Sequence, residues 1–357
     1  MKRILVWGLS NNKAGTEEVI SNYVKNCPQY AFDFLCYDYP EIYSNLLHNG
    51  INRVFVVSVK IKHPLRFKLE LNRFFKKYAN QYDAVWFNAN DISNIDILKC
   101  AKKYGIKNRI LHMHNSQIPN RIVTRIFTRI NWNKCQQLVT HRWACSAGAG
   151  KYIYGDKDFI VVPNFVNAER VSFSGEKRDY IRSRYNIGDA LLVGCVGRLA
   201  DQKNQQYLIE LIPALSSHNE KIKLMLIGCG ENYLQLKELV QNLSVVDKVI
   251  FVEAQDDVQA YYSALDVFVM PSLYEGLSLA LLEAQYNGLP CVVSSFITDE
   301  SVISNSVVFC NLADKSAWVD SILLASRETV KLNERSKLFD IANCASYAQS
   351  LFDQIIE

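Results

Sequence analysis

Two glutamates eight residues apart, Glu275 and Glu283, lie in the block Pro271-Ser272-Leu273-Tyr274-Glu275-Gly276-Leu277-Ser278-Leu279-Ala280-Leu281-Leu282-Glu283-Ala284. Gly276 permits a tight strand-to-helix turn. Leu277, Ser278 and Leu279 then open an apolar helix whose first amides lack intrahelical partners, an anion site suited to a diphosphate. Glu275 falls on the loop before this helix and Glu283 about two turns inside it, so the two carboxylates can hold different hydroxyl-bearing parts of one ligand. A capped core helix with a solvated glutamate is the plain alternative. A second block, Val196-Gly197-Arg198-Leu199-Ala200-Asp201-Gln202-Lys203-Asn204, also runs from a strand end into a helix. Arg198 offers a planar fork and Lys203 a point charge, the two ways a side chain neutralises a departing diphosphate. A third strand-turn-helix, Leu226-Ile227-Gly228-Cys229-Gly230-Glu231, adds a glycine turn that is weak evidence alone. In Arg109-Ile110-Leu111-His112-Met113-His114, two histidines at period two share one face of a strand. They could begin a metal site, but no further ligands follow at suitable spacing.

The elements that must carry these residues alternate strand-like and helical patterns in both halves, as parallel α/β sheets do. Strands are predicted at 3–8, 31–37, 53–58, 83–88, 108–113 and 159–162, then at 190–196, 223–228, 248–252, 266–270 and 289–293. Helices are predicted at 16–26, 64–80, 93–104, 119–131, 203–217, 231–242, 256–263 and 278–287. The seam falls near Pro163–Asn167, giving domains at 1–168 and 169–340; a last helix within 341–357 can pack back on either half. Ligands of such sheets bind at the carboxyl ends of the strands. The fingerprint Gly-x-Gly-x-x-Gly is absent after the first strand, which argues against a nicotinamide-binding domain.

A chain of 357 residues has room for roughly two domains. With 49% apolar and 21% charged residues it has an ordinary globular balance, and no apolar run approaches the ~18–20 residues of a membrane span. The opening segment Lys2–Gly8 is too short for a signal peptide. Ten scattered cysteines without a Cys-x-x-Cys pair fit free buried thiols and a reducing cytoplasm. Cys145 reads as one of them rather than a nucleophile, because no motif ties a histidine to it. Asp156-Lys157-Asp158, a literal Asp-x-Asp, lies among turn residues and reads as chance. The net charge of +4 divides into +13 for residues 1–170 and −9 for the remainder. The basic half therefore faces something anionic. Residues 121–134 hold four cations and no acid, with Arg121, Arg125 and Arg129 on one helical stripe opposite Ile122, Val123, Ile126, Phe127 and Ile130. Residues 60–78 add seven Lys/Arg against one Glu. The pair fits contact with an anionic membrane surface or with the diphosphate of a lipid acceptor, although the apolar stripe could instead pack inward. No nucleic-acid-binding module is recognised.

Taken together, Gly197-Arg198-Leu199, Gln202-Lys203-Asn204, Ile227-Gly228-Cys229-Gly230 and Glu275…Glu283 resemble the donor-binding half of the retaining glycosyltransferases of family 4, which have the GT-B fold. The resemblance implies two Rossmann-like domains facing across a cleft. It implies that Arg198 and Lys203 bind a nucleotide diphosphate, Glu275 the donor sugar and Glu283 the ribose, with Phe251, Val252 and Gln255 near the base. Upstream, Ala14-Gly15-Thr16-Glu17 departs from the family's Gly-Gly-x-Glu in its first glycine, while Gly15 can still approach a phosphate. The resemblance places His114 beside the donor sugar, likens Trp143–Gly148 to a strand-to-helix turn and Val162-Pro163-Asn164 to a hinge. The implied activity is transfer of a hexose or N-acetylhexosamine from a nucleoside diphosphate sugar to a lipid-linked saccharide of a bacterial surface polysaccharide. Configuration would be retained, no metal or other cofactor required, and the protein held at the cytoplasmic membrane face. A non-catalytic partner subunit of the same fold and a sugar-nucleotide epimerase are the competing functions.

Overall fold

A computed structural model describes residues 1–10, 15–40, 51–117, 122–255 and 257–356. They fall into two compact units, the first within Met1–Phe165 and Ile341–Glu357 and the second within Val166–Asp340.

Among the described residues, the first unit holds strands β1 (Arg3–Trp7), β2 (Ala31–Cys36), β3 (Val54–Val56), β4 (Ala84–Ala89), β5 (Asn108–Met113), β6 (His141–Ala144) and β7 (Ile160–Val161). They pair in parallel in the order β3-β2-β1-β4-β5-β6-β7. All six residues of β2 and of β4 are buried, as expected of parallel strands covered on both faces. Helices α1 (Gly15–Lys25), α2 (Pro64–Tyr78), α3 (Asp96–Lys103), α4 (Ile122–Leu138) and α5 (Ala147–Tyr154) connect them.

The second unit repeats the plan with β8 (Leu192–Val196), β9 (Lys223–Ile227), β10 (Val249–Val252), β11 (Val267–Met270), β12 (Cys291–Ser294) and β13 (Val307–Cys310), in the order β10-β9-β8-β11-β12-β13. Its helices include α6 (Gly175–Arg184), α7 (Gln205–His218), α8 (Tyr233–Asn242), α9 (Val258–Ala264), α10 (Leu279–Tyr286) and α11 (Lys315–Leu324). The last helix, α12 (Cys344–Ile356), belongs to the first unit: buried Phe352 meets the rings of Phe32, Trp86 and Trp143 at 5.8, 5.5 and 5.5 Å between centroids.

Several elements lie outside the predicted set. β6 begins with His141 and Arg142, which hide its buried Trp143. β13 is an edge strand of four residues with Val308 and Phe309 exposed. α6 buries Ile181 alone among its residues, so it has no apolar stripe to read. The helix predicted at 119–131 is described from Ile122 and runs on to Leu138. The one predicted from 203 starts at Gln205, because Asn204 takes a left-handed conformation with φ 53°. Nine of the ten cysteines are buried free thiols, and Cys229 is exposed.

Candidate functional site

In the second sheet the strand order reverses between β8 and β11, the place where open α/β sheets bind ligands. The two most informative sequence blocks follow these two strands, and the backbone ties them together. Leu273 donates its amide to the Gln202 carbonyl at 2.8 Å, Gln202 Nε2 donates to the Tyr274 carbonyl at 3.0 Å, and Asn204 Nδ2 to the Pro271 carbonyl at 3.1 Å. Lys203 Nζ then reaches Glu275 Oε1 at 2.7 Å, with the lysine side chain 18% exposed and the glutamate 7%. The lysine stem runs over Gly197: a Cβ there would lie 3.3 Å from Lys203 Cε.

The glycine turn after β9 packs backbone against backbone on the turn after β8. Gly197 N donates to the Ile227 carbonyl at 2.9 Å and Leu199 N to the Cys229 carbonyl at 3.0 Å. A Cβ on Gly228, whose φ is +146°, would stand 2.1 Å from the Gly197 oxygen; one on Gly230 would stand 2.1 Å from the Leu199 oxygen. These glycines are therefore required by contact between the two turns. Arg198 does not share the partner of Lys203. Its Nε donates to Glu231 Oε2 at 2.9 Å in an exposed pair, a type of contact contributing about 0–1 kcal/mol.

Ser278 caps α10, its Oγ accepting the Leu281 amide at 3.4 Å, so one amide of the expected anion site is occupied by the cap. Gly276 and Leu277 are buried beside it, and Leu279 is half-buried. Because α10 starts at Leu279, Glu283 lies about one turn inside rather than two. Its Oε2 accepts a hydrogen bond from the Tyr262 hydroxyl at 2.9 Å. Burial, reinforced by Glu283, pushes the Tyr262 hydroxyl well above its ordinary range, so it stays a proton donor. In the segment expected near a base, Phe251 meets the Tyr233 ring edge-on at 5.5 Å, the Val252 carbonyl accepts the Gly228 amide at 2.9 Å, and Gln255 Nε2 donates to the Glu253 carbonyl at 3.1 Å.

In the first unit, order reverses between β1 and β4. Gly15 opens α1 there as an exposed residue, and buried Glu17 accepts from Ser10 Oγ at 2.5 Å. His114 follows β5, with Nε2 2.9 Å from Asn88 Oδ1. Asn88 Nδ2 donates to the Trp7 carbonyl at 3.2 Å, which turns Oδ1 toward the histidine and makes Nε2 the protonated nitrogen of the neutral ring. Burial lowers the His114 pKa from 6.5 to about 3. Its neighbour His112 is fully buried, with ring centroids 4.2 Å apart and neither ring nitrogen hydrogen-bonded among the described residues. It packs against Trp86 and Trp143 as core. Arg125 and Arg129 are exposed on α4, while Arg121 lies outside the described residues. The apolar stripe of α4 does not pack inward: Ile122, Val123, Ile126, Phe127 and Ile130 are each at least half exposed. Sequence reasoning did not single out Asn88 or Tyr262, whose roles arise from contacts across the sheet and between helices. Among the described residues, no group of three or more His, Cys, Asp or Glu side chains is arranged to hold a metal, and no helix is long and apolar enough to cross a membrane.

The paired Rossmann-like sheets and the site between β8 and β11 define a class that comparison with known proteins makes specific. Residues 177–338 match the family Glycosyl transferases group 1. EpsF of Bacillus subtilis, an inferred glycosyltransferase, is 28% identical over 347 residues, which span 91% of this chain and 88% of EpsF. A UDP-Gal:α-D-GlcNAc-diphosphoundecaprenol α-1,3-galactosyltransferase of Escherichia coli is 30% identical over 194 residues, 52% of this chain and 50% of that enzyme. Among solved structures, HepE of Anabaena in complex with UDP-glucose superposes with a TM-score of 0.79 at 15% identity, covering 99% of this chain and all of HepE. The sucrose-phosphate synthase of Thermosynechococcus elongatus gives 0.77 at 16%, covering 99% of each chain. The fold is GT-B. Residues 177–338 carry a glycosyl transferases group 1 domain, and the chain is homologous to bacterial glycosyltransferases.

Proposed function

We propose that the protein transfers a hexose or N-acetylhexosamine from a nucleoside diphosphate sugar, UDP being the favoured nucleotide, to a hydroxyl of a lipid-linked saccharide in bacterial surface polysaccharide synthesis. The observation that carries this reading is the Lys203–Glu275 pair at the reversal of strand order, flanked by two interlocked glycine turns. Lys203 neutralises the departing diphosphate, and Arg198 exchanges its exposed Glu231 partner for a phosphate oxygen. Fixed charges of this kind, placed where charge develops, are the largest class of catalytic effect. Glu275 accepts from donor-sugar hydroxyls, and Glu283, oriented by Tyr262, accepts from the ribose. Neutral His114 takes part as a hydrogen-bonding group beside the sugar. The leaving phosphate receives the acceptor's proton on the face it departs from, so configuration is retained and no metal is needed. The exposed apolar stripe of α4, with Arg125 and Arg129 alongside, seats the protein on the anionic inner face of the plasma membrane.

The nucleotide and acceptor classes are supported by the activity of the Escherichia coli relative and by the UDP-glucose held by HepE. The test is a screen of UDP-, GDP- and ADP-sugars with a synthetic prenyl diphosphate saccharide, in buffer containing EDTA. Acceptor-dependent release of nucleoside diphosphate, with the donor's anomeric configuration in the product by NMR, is expected. Interconversion of sugar nucleotides without acceptor would instead identify an epimerase.

A further inference from the structure

We infer that a groove on the first unit, walled by one face of α4, binds the diphosphate head of a prenyl-linked acceptor. This deepens the proposed function and rests on its assignment of a lipid-linked acceptor. The groove has a volume of about 700 Å³ and is lined by Ser116, Arg125, Thr128, Arg129, Trp132 and Tyr152, among others. Arg125, Thr128, Arg129 and Trp132 recur at the spacing of a single helix face. Both arginines are exposed, and neither pairs with a carboxylate among the described residues. Two unpaired guanidinium forks one turn apart match two linked phosphates, each fork offering parallel N–H donors to phosphate oxygens. Between them Thr128 is 1% exposed, and its Oγ1 has no hydrogen-bond partner among the described residues. Further along the groove the lining is aromatic: Trp132 of α4 and Tyr152 of α5 meet edge-on at 6.1 Å, a surface for the hydrocarbon faces of an isoprene unit or a sugar.

The rest of α4 accounts for the lipid. The adjoining face carries exposed Ile122, Ile126, Phe127 and Ile130, so the same helix offers apolar surface to the chain and cations to its head. Ser116 lies two residues beyond His114, so the groove opens at the carboxyl end of β5 where His114 sits. A sugar attached to the bound diphosphate is thereby delivered to that end of the sheet.

The experiment is calorimetric titration of farnesyl diphosphate into the full chain, with saturating UDP present to occupy the donor site. Binding of one equivalent is expected, weakened at least tenfold in the R125Q/R129Q double variant and unchanged in K134Q, a cation on the opposite side of α4. Inorganic pyrophosphate should bind at least tenfold more weakly than farnesyl diphosphate. Absence of binding, equal binding by the double variant, an equal loss in K134Q, or pyrophosphate binding as tightly as the prenyl compound would each overturn the inference. Circular dichroism melts verify that the variants fold. UDP affinity, measured separately, should be the same in the double variant; failure of UDP to bind the wild type would count against the donor reading and leave the groove result standing.

Discussion

The Lys203 ammonium stands 2.7 Å from the Glu275 carboxylate, joining the loop after β8 to the loop after β11. A charge pair this sheltered is poorly screened by solvent, and removing one partner strands the other. It also sets a lysine and a carboxylate side by side just before α10.

Gly228→Ala should disrupt this region from a distance. The new methyl would stand 2.1 Å from the Gly197 oxygen at a φ of +146°, so the two turns must separate. A loss of about 2–4 kcal/mol is expected from overpacking and backbone strain. Thermal melting should show a lowered midpoint, and UDP titration a large loss of affinity. Unchanged values in both would remove the close contact of the turns from the explanation.

Tyr262→Phe tests how Glu283 is oriented. The variant removes one hydrogen bond of 2.9 Å from the carboxylate. At about 1 kcal/mol for such a bond, KM for the nucleotide sugar should rise roughly fivefold with kcat unchanged. An equal fall in kcat would mean that Tyr262 acts in the chemical step instead.

The two buried histidines make stability depend on pH in a defined direction. His114 has a folded pKa of about 3 against an ordinary 6.5, and burial lowers His112 as well. On acidification the unfolded chain takes up protons that the folded chain refuses. Stability present above pH 6.5 is therefore lost as pH falls from there toward 3, by up to about 1.4 kcal/mol per pH unit for each ring. Urea midpoints should be lower at pH 5 than at pH 7.5, with a smaller difference in His114→Gln. Because His114 stays neutral throughout, any acid limb of the rate profile near 6.5 must come from another group.

The exposed stripe of α4 makes a prediction for membranes. Ile126→Glu with Phe127→Glu should abolish sedimentation with vesicles containing phosphatidylglycerol, while binding by the wild type should weaken as salt is raised. Sedimentation of the variant equal to wild type would move the contact elsewhere.

Legibility in the sequence followed the physical origin of each feature. The strand-turn-helix blocks at Gly197 and Gly228 were readable because close turns demand glycine, and the buried parallel strand β11 because it is apolar throughout. α6 and β13 were not, since one has a single buried residue and the other sits on a sheet edge. Within the site, Lys203 and Glu275 could be named but their pairing could not, as it depends on β8 lying beside β11. The partner of Arg198 and the support given by Asn88 and Tyr262 are likewise contacts between distant residues, which no local pattern encodes. The exposure of the α4 stripe was open in the sequence because the same periodicity serves a helix packed inward or outward.

The most direct test is calorimetric titration of UDP into the wild-type protein, Arg198→Ala and Lys203→Ala, each verified as folded by circular dichroism. One equivalent should bind to the wild type, with affinity at least tenfold weaker in both variants. UDP binding by both variants with wild-type affinity would contradict a diphosphate site built on these two cations.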